Sequence, residues 1–239
     1  MGLRAIAVDI SDRKSIEEEL TKLAAGVAHQ VRNPVMTIGG FVLRLQKRFA
    51  PDEKPQDWLK IILWEVRRLE RMVSAIHRHT TLPQPEPART SLTSVAETVL
   101  SECQTDLDYQ GIRVKRRFSN GLPRVLADED LLGLALENIV ANAREAMPDG
   151  GDLEVSIVTD GGLVCLSVKD TGGGIAPEDL PNVFDPFFGL KPQASGLGLT
   201  TAHRIVSEQK GEIRINSTPG EGTEVRVCLP AARPMSQDS

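Results

Sequence analysis

The sequence predicts an α+β protein in two modules: an antiparallel helical hairpin that forms a dimeric four-helix bundle, then an α/β sandwich with a mixed, largely antiparallel sheet. Three observations predict this fold class. Apolar residues recur at intervals of three and four through residues 15–82, as in amphipathic helices. Prolines 83, 85 and 87 then mark an extended linker. Beyond them, strand-like and helical segments alternate, which is typical of helices packed on a sheet.

The domain boundaries follow from these patterns. Residues 1–14 begin as a short apolar strand without a partner and lead into a helix. We assign residues 15–82 to the hairpin, residues 83–89 to the linker and residues 90–231 to the sandwich. Residues 232–239 predict a disordered tail.

The hairpin is predicted to consist of two long helices. The first pattern covers residues 11–49, about 60 Å at ~1.5 Å per residue, which is too long for a lone helix in a compact domain. Residues 51–55 predict a turn, and the second helix covers residues 56–80. Two antiparallel helices bury little apolar surface alone, so we expect a homodimer. The apolar positions are Ile38, Val42, Leu45 and Phe49 in the first helix and Leu59, Ile62, Leu63, Val66, Leu69, Met72, Val73 and Ile76 in the second.

The second module alternates helices with strands. Asp160-Gly161-Gly162 separates two strand-like runs and is a β-hairpin signal. The predicted helices cover residues 91–110, 128–147 and 197–209, and the predicted strands cover residues 112–118, 123–128, 153–159, 163–169, 212–216 and 223–229.

Composition excludes some function classes. The formal net charge of −5 leaves no basic excess to neutralise nucleic-acid phosphates, so no nucleic-acid partner is expected. Cys103, Cys165 and Cys228 lack the spacing of a zinc site or a disulfide framework, and the last two lie in strand-like runs as small buried hydrophobes. No apolar stretch reaches the roughly 18 residues of a membrane span. We therefore expect a cytoplasmic chain with no membrane contact of its own.

One histidine of the first helix stands apart from the apolar stripe. His29 lies roughly 200° around the helix from this stripe, so we expect an exposed imidazole. A plain surface or core histidine is the common alternative for a lone histidine. The stripe is formed by Leu20, Leu23, Val27 and Val31.

The predicted helix over residues 128–147 carries two asparagines beside its apolar face. Asn138 and Asn142, four residues apart, form a polar file, and asparagine is a poor residue for a helix interior. This pattern suggests a ligand or a metal rather than packing. The apolar face consists of Leu132, Leu136, Ile139 and Ala143.

Two glycine-rich segments follow. Asp170-Thr-Gly-Gly-Gly comes directly after a strand, where the carboxylate could accept a hydrogen bond from an exocyclic amine; an ordinary turn is the alternative. Residues 196–199 open a helix, whose free amides and positive dipole end suit a polyphosphate. Between them, residues 184–192 combine phenylalanines with prolines and glycine and predict a mobile lid.

These segments resemble, in order, the sequence boxes of sensor histidine kinases. His29-Gln30-Val31-Arg32-Asn33-Pro34 resembles their phosphoacceptor box, usually His-Glu-(Ile/Leu/Val)-Arg-Asn-Pro. Residues 3–14 resemble the last strand and exit motif of a PAS sensory domain, which implies a longer parent protein, with an upstream sensor that could be membrane-anchored. The N, G1, F and G2 boxes of the ATP-binding domain, a fold shared with gyrase, MutL and a chaperone family, are matched by Asn138 to Asn142, Asp170-x-Gly172-x-Gly174, Phe184 to Phe187-Phe188, and Gly196-x-Gly198.

The resemblance implies ATP and Mg²⁺ as cofactors. It implies that Asn142 holds Mg²⁺, that Asn138 supports the metal and phosphates, and that Asp170 binds the adenine amine. Lys191 matches a frequent lid lysine that reaches phosphate, and a solvated lysine fits equally well. The other residues implied at the pocket are Gly172, Gly174, Gly196, Leu197, Gly198, Leu199 and Thr223.

The implied reaction transfers the γ-phosphoryl group of ATP to His29 and then to an aspartate of a response regulator. Gln30 stands where relatives carry an acidic residue; its amide oxygen accepts a hydrogen bond from the imidazole but adds no charge, which predicts a slower kinase. Gln30 and Asn33 also occupy the positions from which relatives orient water for phosphatase activity. The alternative is a nucleotide-binding signalling scaffold with weak or no kinase activity. A serine kinase on the same ATP fold is a third reading, which the helical hairpin disfavours.

Overall fold

The computed structural model describes residues 35–48, 54–185, 188 and 196–232. The chain divides into two compact units, Met1–Pro83 and Gln84–Ser239. The predicted strand and exit motif over residues 3–14, and the tail beyond residue 232, lie outside the described residues. Within the described ranges, every helix is too short or too polar to cross a membrane.

The first unit is a pair of helices. Helix α1 is described over residues 35–46, and α2 is Lys54–Thr80. Val42 of α1 forms a buried cluster with Leu59 and Leu63 of α2. The Gln56 side-chain amide donates a hydrogen bond of 2.9 Å to the Gln46 carbonyl, which satisfies a backbone acceptor at the end of α1. The second helix starts earlier than predicted, because Pro55 fits in its first turn, where no backbone N–H is needed.

Only part of the predicted apolar stripe is buried within one hairpin. Exposed apolar positions lie beside the buried ones, and Trp58 of α2 is 65 % exposed. Apolar surface therefore remains uncovered on a single copy. Val42, Leu59, Leu63, Val66 and Val73 are buried, whereas Ile38, Leu45, Ile62 and Leu69 are exposed.

The second unit is a sandwich of helices on a five-stranded sheet. The strands are β1 (Ala88–Thr90), β2 (Ile112–Phe118), β3 (Val125–Ala127), β4 (Gly151–Asp160), β5 (Leu163–Asp170), β6 (Glu212–Thr218) and β7 (Gly222–Pro230). The strand order in the sheet is β2-β4-β5-β7-β6. Strand β2 runs parallel to β4, and the other neighbours pair antiparallel, which confirms the predicted mixed sheet. The helices are α3 (Leu92–Tyr109), α4 (Glu129–Ala146) and α5 (Gly198–Glu208), with a short 3₁₀ helix at Leu180–Asn182.

Helix α4 packs between α3 and α5 and against the sheet. Leu132 and Leu136 of α4 line a small apolar cavity together with Leu166 of β5 and Val227 of β7, so these two strand positions face the helices. The predicted apolar face of α4 is buried along its length, as the helical spacing requires.

The linker is shorter than predicted. Ala88–Thr90 form β1, which pairs antiparallel with β3, and the Glu86 N–H donates a hydrogen bond of 2.9 Å to the Asp128 carboxylate. Strand β1 is stabilised by this distant partner rather than by its own sequence, and residues 86–89 belong to the sandwich rather than to a free linker.

Cys165 and Cys228 are joined by a disulfide bond between β5 and β7. This corrects the prediction of two separate buried hydrophobes. The two cysteines are direct partners in the strand ladder, although they are 63 residues apart in sequence. Cys103 in α3 is a free cysteine.

Candidate nucleotide site

The N-terminus of α5 lies against the two asparagines of α4. A Cβ atom built on Gly198 would be 3.4 Å from Asn138 Oδ1 and 3.4 Å from Asn142 Nδ2, so α5 begins close beside both amides. The first N–H groups of a helix have no partner within the helix, and the helix dipole makes this end positive. The structure thus joins the predicted asparagine pair to the predicted segment over residues 196–199, at a position suited to an anion.

A buried glutamine fixes the opposite end of α5. Gln209, at the C-cap of α5, accepts a hydrogen bond of 2.6 Å from the Asp128 N–H through Oε1. Asp128 is itself the N-cap of α4 and accepts from the Leu131 N–H at 3.0 Å. Helix α5 therefore runs antiparallel to α4, with its N-terminus near the C-terminal half of α4. The role of Gln209 could not be predicted from the sequence, because it depends on how α5 packs on α4.

Asp170 lies at the same end of α4. It ends β5 and is 4 % exposed, and its Oδ1 accepts hydrogen bonds from the N–H groups of Gly172 at 2.8 Å and Thr223 at 3.2 Å. A Cβ atom on Gly172 would lie 2.6 Å from the Ala146 carbonyl, so the loop after β5 packs directly on the last residue of α4. Asp170, Gly172 and Thr223, which sequence reasoning selected separately, are in contact.

The turn between β6 and β7 holds the glycine loop after β5. Gly174 has φ +69°, and a side chain there would collide with the Thr218 carbonyl. The Gly220 N–H donates to the Gly173 carbonyl at 2.8 Å, and the Ile175 N–H donates to Ser217 Oγ at 2.8 Å. Ser217 was missed from the sequence, because only the strand register shows that it faces this loop.

The segment predicted as a lid is partly described. Phe184 packs its ring against His203 of α5, with ring centroids 4.9 Å apart, and the preceding Val183 is buried. These contacts anchor the start of the segment to α5. Phe187 and Lys191 lie outside the described residues, so the predicted role of Lys191 stays a prediction.

His29, Gln30 and Asn33 also lie outside the described residues, which begin at residue 35 of the first helix. Their predicted exposure and roles therefore stay predictions.

Shifted pKa values occur at the edge of the sheet and in α3. Hydrogen bonds from Arg113 and then Lys115 lower the pKa of Asp152 below its usual range. Burial raises the pKa of the Cys103 thiol. Across the described ranges, no group of three His, Cys, Asp or Glu side chains could hold a metal ion.

Two family models match the chain. The His Kinase A (phospho-acceptor) domain matches residues 19–79, and the Histidine kinase-, DNA gyrase B-, and HSP90-like ATPase matches residues 127–233. Sporulation kinase C of Bacillus subtilis is 34 % identical over 93 % of this chain and 55 % of its own length. Sensor histidine kinase ZraS of Escherichia coli is 30 % identical over 95 % of this chain and 49 % of its own length.

Solved structures give the same match. The histidine kinase ThkA, in complex with the response regulator protein TrrA, has a TM-score of 0.70 and 27 % identity over 93 % of this chain and 65 % of that one. Full-length ShkA in complex with AMPPNP shares the fold, with a TM-score of 0.67 and 23 % identity over 89 % of this chain and 46 % of that one.

The two matched domains, in this order, define a histidine kinase with a phosphoacceptor domain and an ATPase domain. The chain belongs to the sensor histidine kinases of two-component systems, which confirms the resemblance of the sequence boxes. It spans about half the length, or less, of the curated relatives it matches.

Proposed function

We propose that this chain is an ATP-dependent protein-histidine kinase that phosphorylates its own His29 and passes the phosphoryl group to an aspartate of a response regulator. The observation that carries the proposal is the position of the α5 N-terminus close beside Asn138 and Asn142. The amides at this helix end suit the phosphates of ATP. Asp170, at the same end of α4, offers an acceptor for the adenine amine.

The side chains at this cleft fit Mg²⁺. This cation takes oxygen ligands, keeps several waters and usually completes its shell with substrate phosphates, so the protein needs to supply few of its ligands. We assign that ligand to Asn142. The Asn138 amide nitrogen donates to the Leu134 carbonyl at 2.8 Å, which turns its Oδ1 toward Gly198 and the phosphate side. When bound, Mg²⁺ neutralises charge on the transferring phosphoryl group.

In the proposed transfer, a bond forms between a neutral imidazole nitrogen of His29, expected to be Nε2, and the γ-phosphorus, while the bond to the bridging oxygen breaks and ADP leaves. Such transfers depend mainly on positioning and charge neutralisation, because the transition state is loose. The Gln30 amide oxygen would accept a hydrogen bond from Nδ1–H. Because it carries no charge, it offsets less of the positive charge that develops on the ring, and we expect a slower kinase.

The hairpin supports a homodimer. Ile38, Ile62 and Leu69 are exposed on a single copy, although they lie at helical spacing beside the buried positions. A second hairpin would cover this flank, as in a four-helix bundle. The similarity to ThkA, solved with its response regulator TrrA, supports a receiver domain as the second partner.

Incubating the full chain with labelled ATP and Mg²⁺ tests the proposal. We expect an acid-labile, alkali-stable label that is lost in His29→Gln and in Asn142→Ala. His77→Gln is the matched control, since His77 is an exposed histidine of α2, and it should keep the label. A label that survives in His29→Gln would contradict the assignment of the phosphoacceptor.

Gln30 favours one second candidate, a nucleotide-binding scaffold that does not phosphorylate. That candidate predicts nucleotide binding without any label in the same incubation. Binding together with a label at His29 would exclude it.

A further inference from the structure

The hydroxyl group of Ser217 joins three parts of the candidate nucleotide site. Ser217 is on β6, directly opposite Thr223 of β7. Its Oγ accepts a hydrogen bond from the Ile175 N–H at 2.8 Å, lies 3.0 Å from the Gly222 carbonyl oxygen and lies 2.9 Å from Thr223 Oγ1. One side chain therefore contacts the glycine loop after β5 and the start of β7.

Which group donates in each of these hydrogen bonds follows from the number of hydrogens that each group carries. A serine hydroxyl has one hydrogen to donate and two lone pairs that accept. The Gly222 carbonyl can only accept, so the Ser217 hydrogen goes to it. Since the Ile175 N–H fills one lone pair of Ser217, the Thr223 hydroxyl donates to the other. The only hydroxyl hydrogen of Thr223 is thereby used, and its oxygen can act only as an acceptor toward any other group.

Thr223 and Asp170 face the same side of the sheet. Leu166 of β5 and Val227 of β7 face the helices, and side chains four residues along a strand point to the same face. Asp170 and Thr223 stand four residues from these positions, at neighbouring ends of paired strands, and the Thr223 N–H donates to Asp170 Oδ1 at 3.2 Å. This wall of the site presents the Asp170 carboxylate and the Thr223 hydroxyl, whose hydrogen is already donated to Ser217. Both groups can therefore only accept hydrogen bonds from a ligand.

We propose that Ser217 is a positioning residue that sets base selectivity. Because Ser217 accepts the hydrogen bond of the Thr223 hydroxyl, Asp170 and Thr223 can only accept hydrogen bonds from the base. A 6-amino purine donates at that edge, whereas a 6-oxo purine presents another acceptor and leaves buried oxygens unpaired. The inference rests on the proposed function, because it concerns the base of the nucleotide that the kinase would use. It assigns to Ser217 a role that is distinct from binding the base directly.

Calorimetry with ADP and IDP tests this role, because the two nucleotides differ only at the 6-position, which is amino in ADP and oxo in IDP, and at N1, which accepts in ADP and carries a hydrogen in IDP. For the wild-type chain we expect ADP to bind about 100-fold more tightly than IDP. In Ser217→Ala the Thr223 hydroxyl can turn and donate to a 6-oxo group, so the ratio should fall about tenfold, as expected for one hydrogen bond. Ser217→Thr keeps a hydroxyl and should restore the ratio.

Thr218→Ala is the matched control, since it removes an exposed hydroxyl from the next residue of β6, and the ratio should not change. A purely structural role for Ser217 would weaken ADP and IDP equally and leave the ratio intact, which would overturn the inference. If Ser217→Ala does not fold, Ser217→Cys replaces it; its weakly bonding thiol should give an intermediate ratio, and a wild-type ratio would overturn the inference. A wild-type chain that binds ADP weakly or not at all would overturn the proposed function as well.

Discussion

The helical hairpin and the ATP-binding domain bury their apolar residues to very different extents. In the hairpin, Ile61 is 61 % exposed and Ile62 is 43 % exposed, whereas in the domain Leu100, Leu107 and Ile205 are fully buried. Helices α3, α4 and α5 cover a sheet, so the domain completes its core within one chain. The described part of the hairpin leaves apolar surface uncovered, which a second copy would bury in the proposed dimer. We therefore expect the hairpin to depend on dimerisation and the ATP-binding domain to be independent of it.

Disrupting the exposed flank of the hairpin should have the largest effect. Ile62 and Leu69 are seven residues apart and therefore lie on one side of α2. In Ile62→Glu, the charged side chain loses roughly 2–3 kcal/mol of burial free energy in each copy. Because the dimer is symmetric, the loss counts twice, and the dissociation constant of the dimer should rise about a thousandfold. Sedimentation equilibrium measures this change. Lys60→Glu, at an exposed neighbour, should stay dimeric, and a dimeric Ile62→Glu chain would contradict the proposed interface.

Reduction of the disulfide should affect only the ATP-binding domain. Cys165 and Cys228 close a loop of 63 residues, so reduction should lower the free energy of unfolding of this domain by about 2–4 kcal/mol. Denaturant titration, followed in the presence and absence of a reductant, measures the loss. Cys228→Ser should abolish the response to the reductant, while Cys103→Ser should keep it. An equal loss of stability in the hairpin and the domain would contradict the prediction that the disulfide stabilises only the domain.

The charge beside the phosphoacceptor histidine should change the rate more modestly. Gln30→Glu introduces the acidic residue usual in relatives, and we expect the initial rate of autophosphorylation to rise up to about tenfold, or ~1.4 kcal/mol. A quench-flow time course with labelled ATP measures the rate. Gln46→Glu, a change of the same kind at the end of α1, controls for the added negative charge. An unchanged rate in Gln30→Glu would count against the role assigned to Gln30.

The smallest effect concerns the sheet edge. Because Arg113 and Lys115 lower the pKa of Asp152 in the folded chain, the carboxylate stabilises the domain above the unfolded pKa and loses this contribution as the pH falls through the folded pKa. Asp152→Asn should therefore show a weaker loss of thermal stability below about pH 4 than the wild type. Scanning calorimetry across this range checks the prediction. A wild-type acid response in the variant would show that Asp152 contributes nothing, as exposed ion pairs often do.

The sequence was informative wherever a pattern lies within one element. The apolar face of α4, with Asn138 and Asn142 beside it, follows from helical spacing, and the Asp-Gly-Gly turn after β4 follows from turn chemistry. The sequence did not predict features that depend on a partner distant in the chain. Strand β1 exists because it pairs with β3, and the disulfide exists because β5 and β7 are neighbours in the sheet.

The candidate site divides in the same way. Glycine and aspartate motifs could be predicted from the sequence, because their chemistry is local. The roles of Ser217 and Gln209 depend on strand register and on how α5 packs on α4, which no single segment encodes.

We propose that α4 and α5 together form a magnesium-dependent adenine nucleotide site that serves His29. Titration calorimetry of the full chain with ATP, in the presence of Mg²⁺ and then of EDTA, measures this dependence. We expect one site per chain whose affinity falls on removal of Mg²⁺, and no such dependence in Asn142→Ala. Absence of ATP binding by the wild-type chain, or equal binding with and without Mg²⁺, would show that α4 and α5 do not form this site.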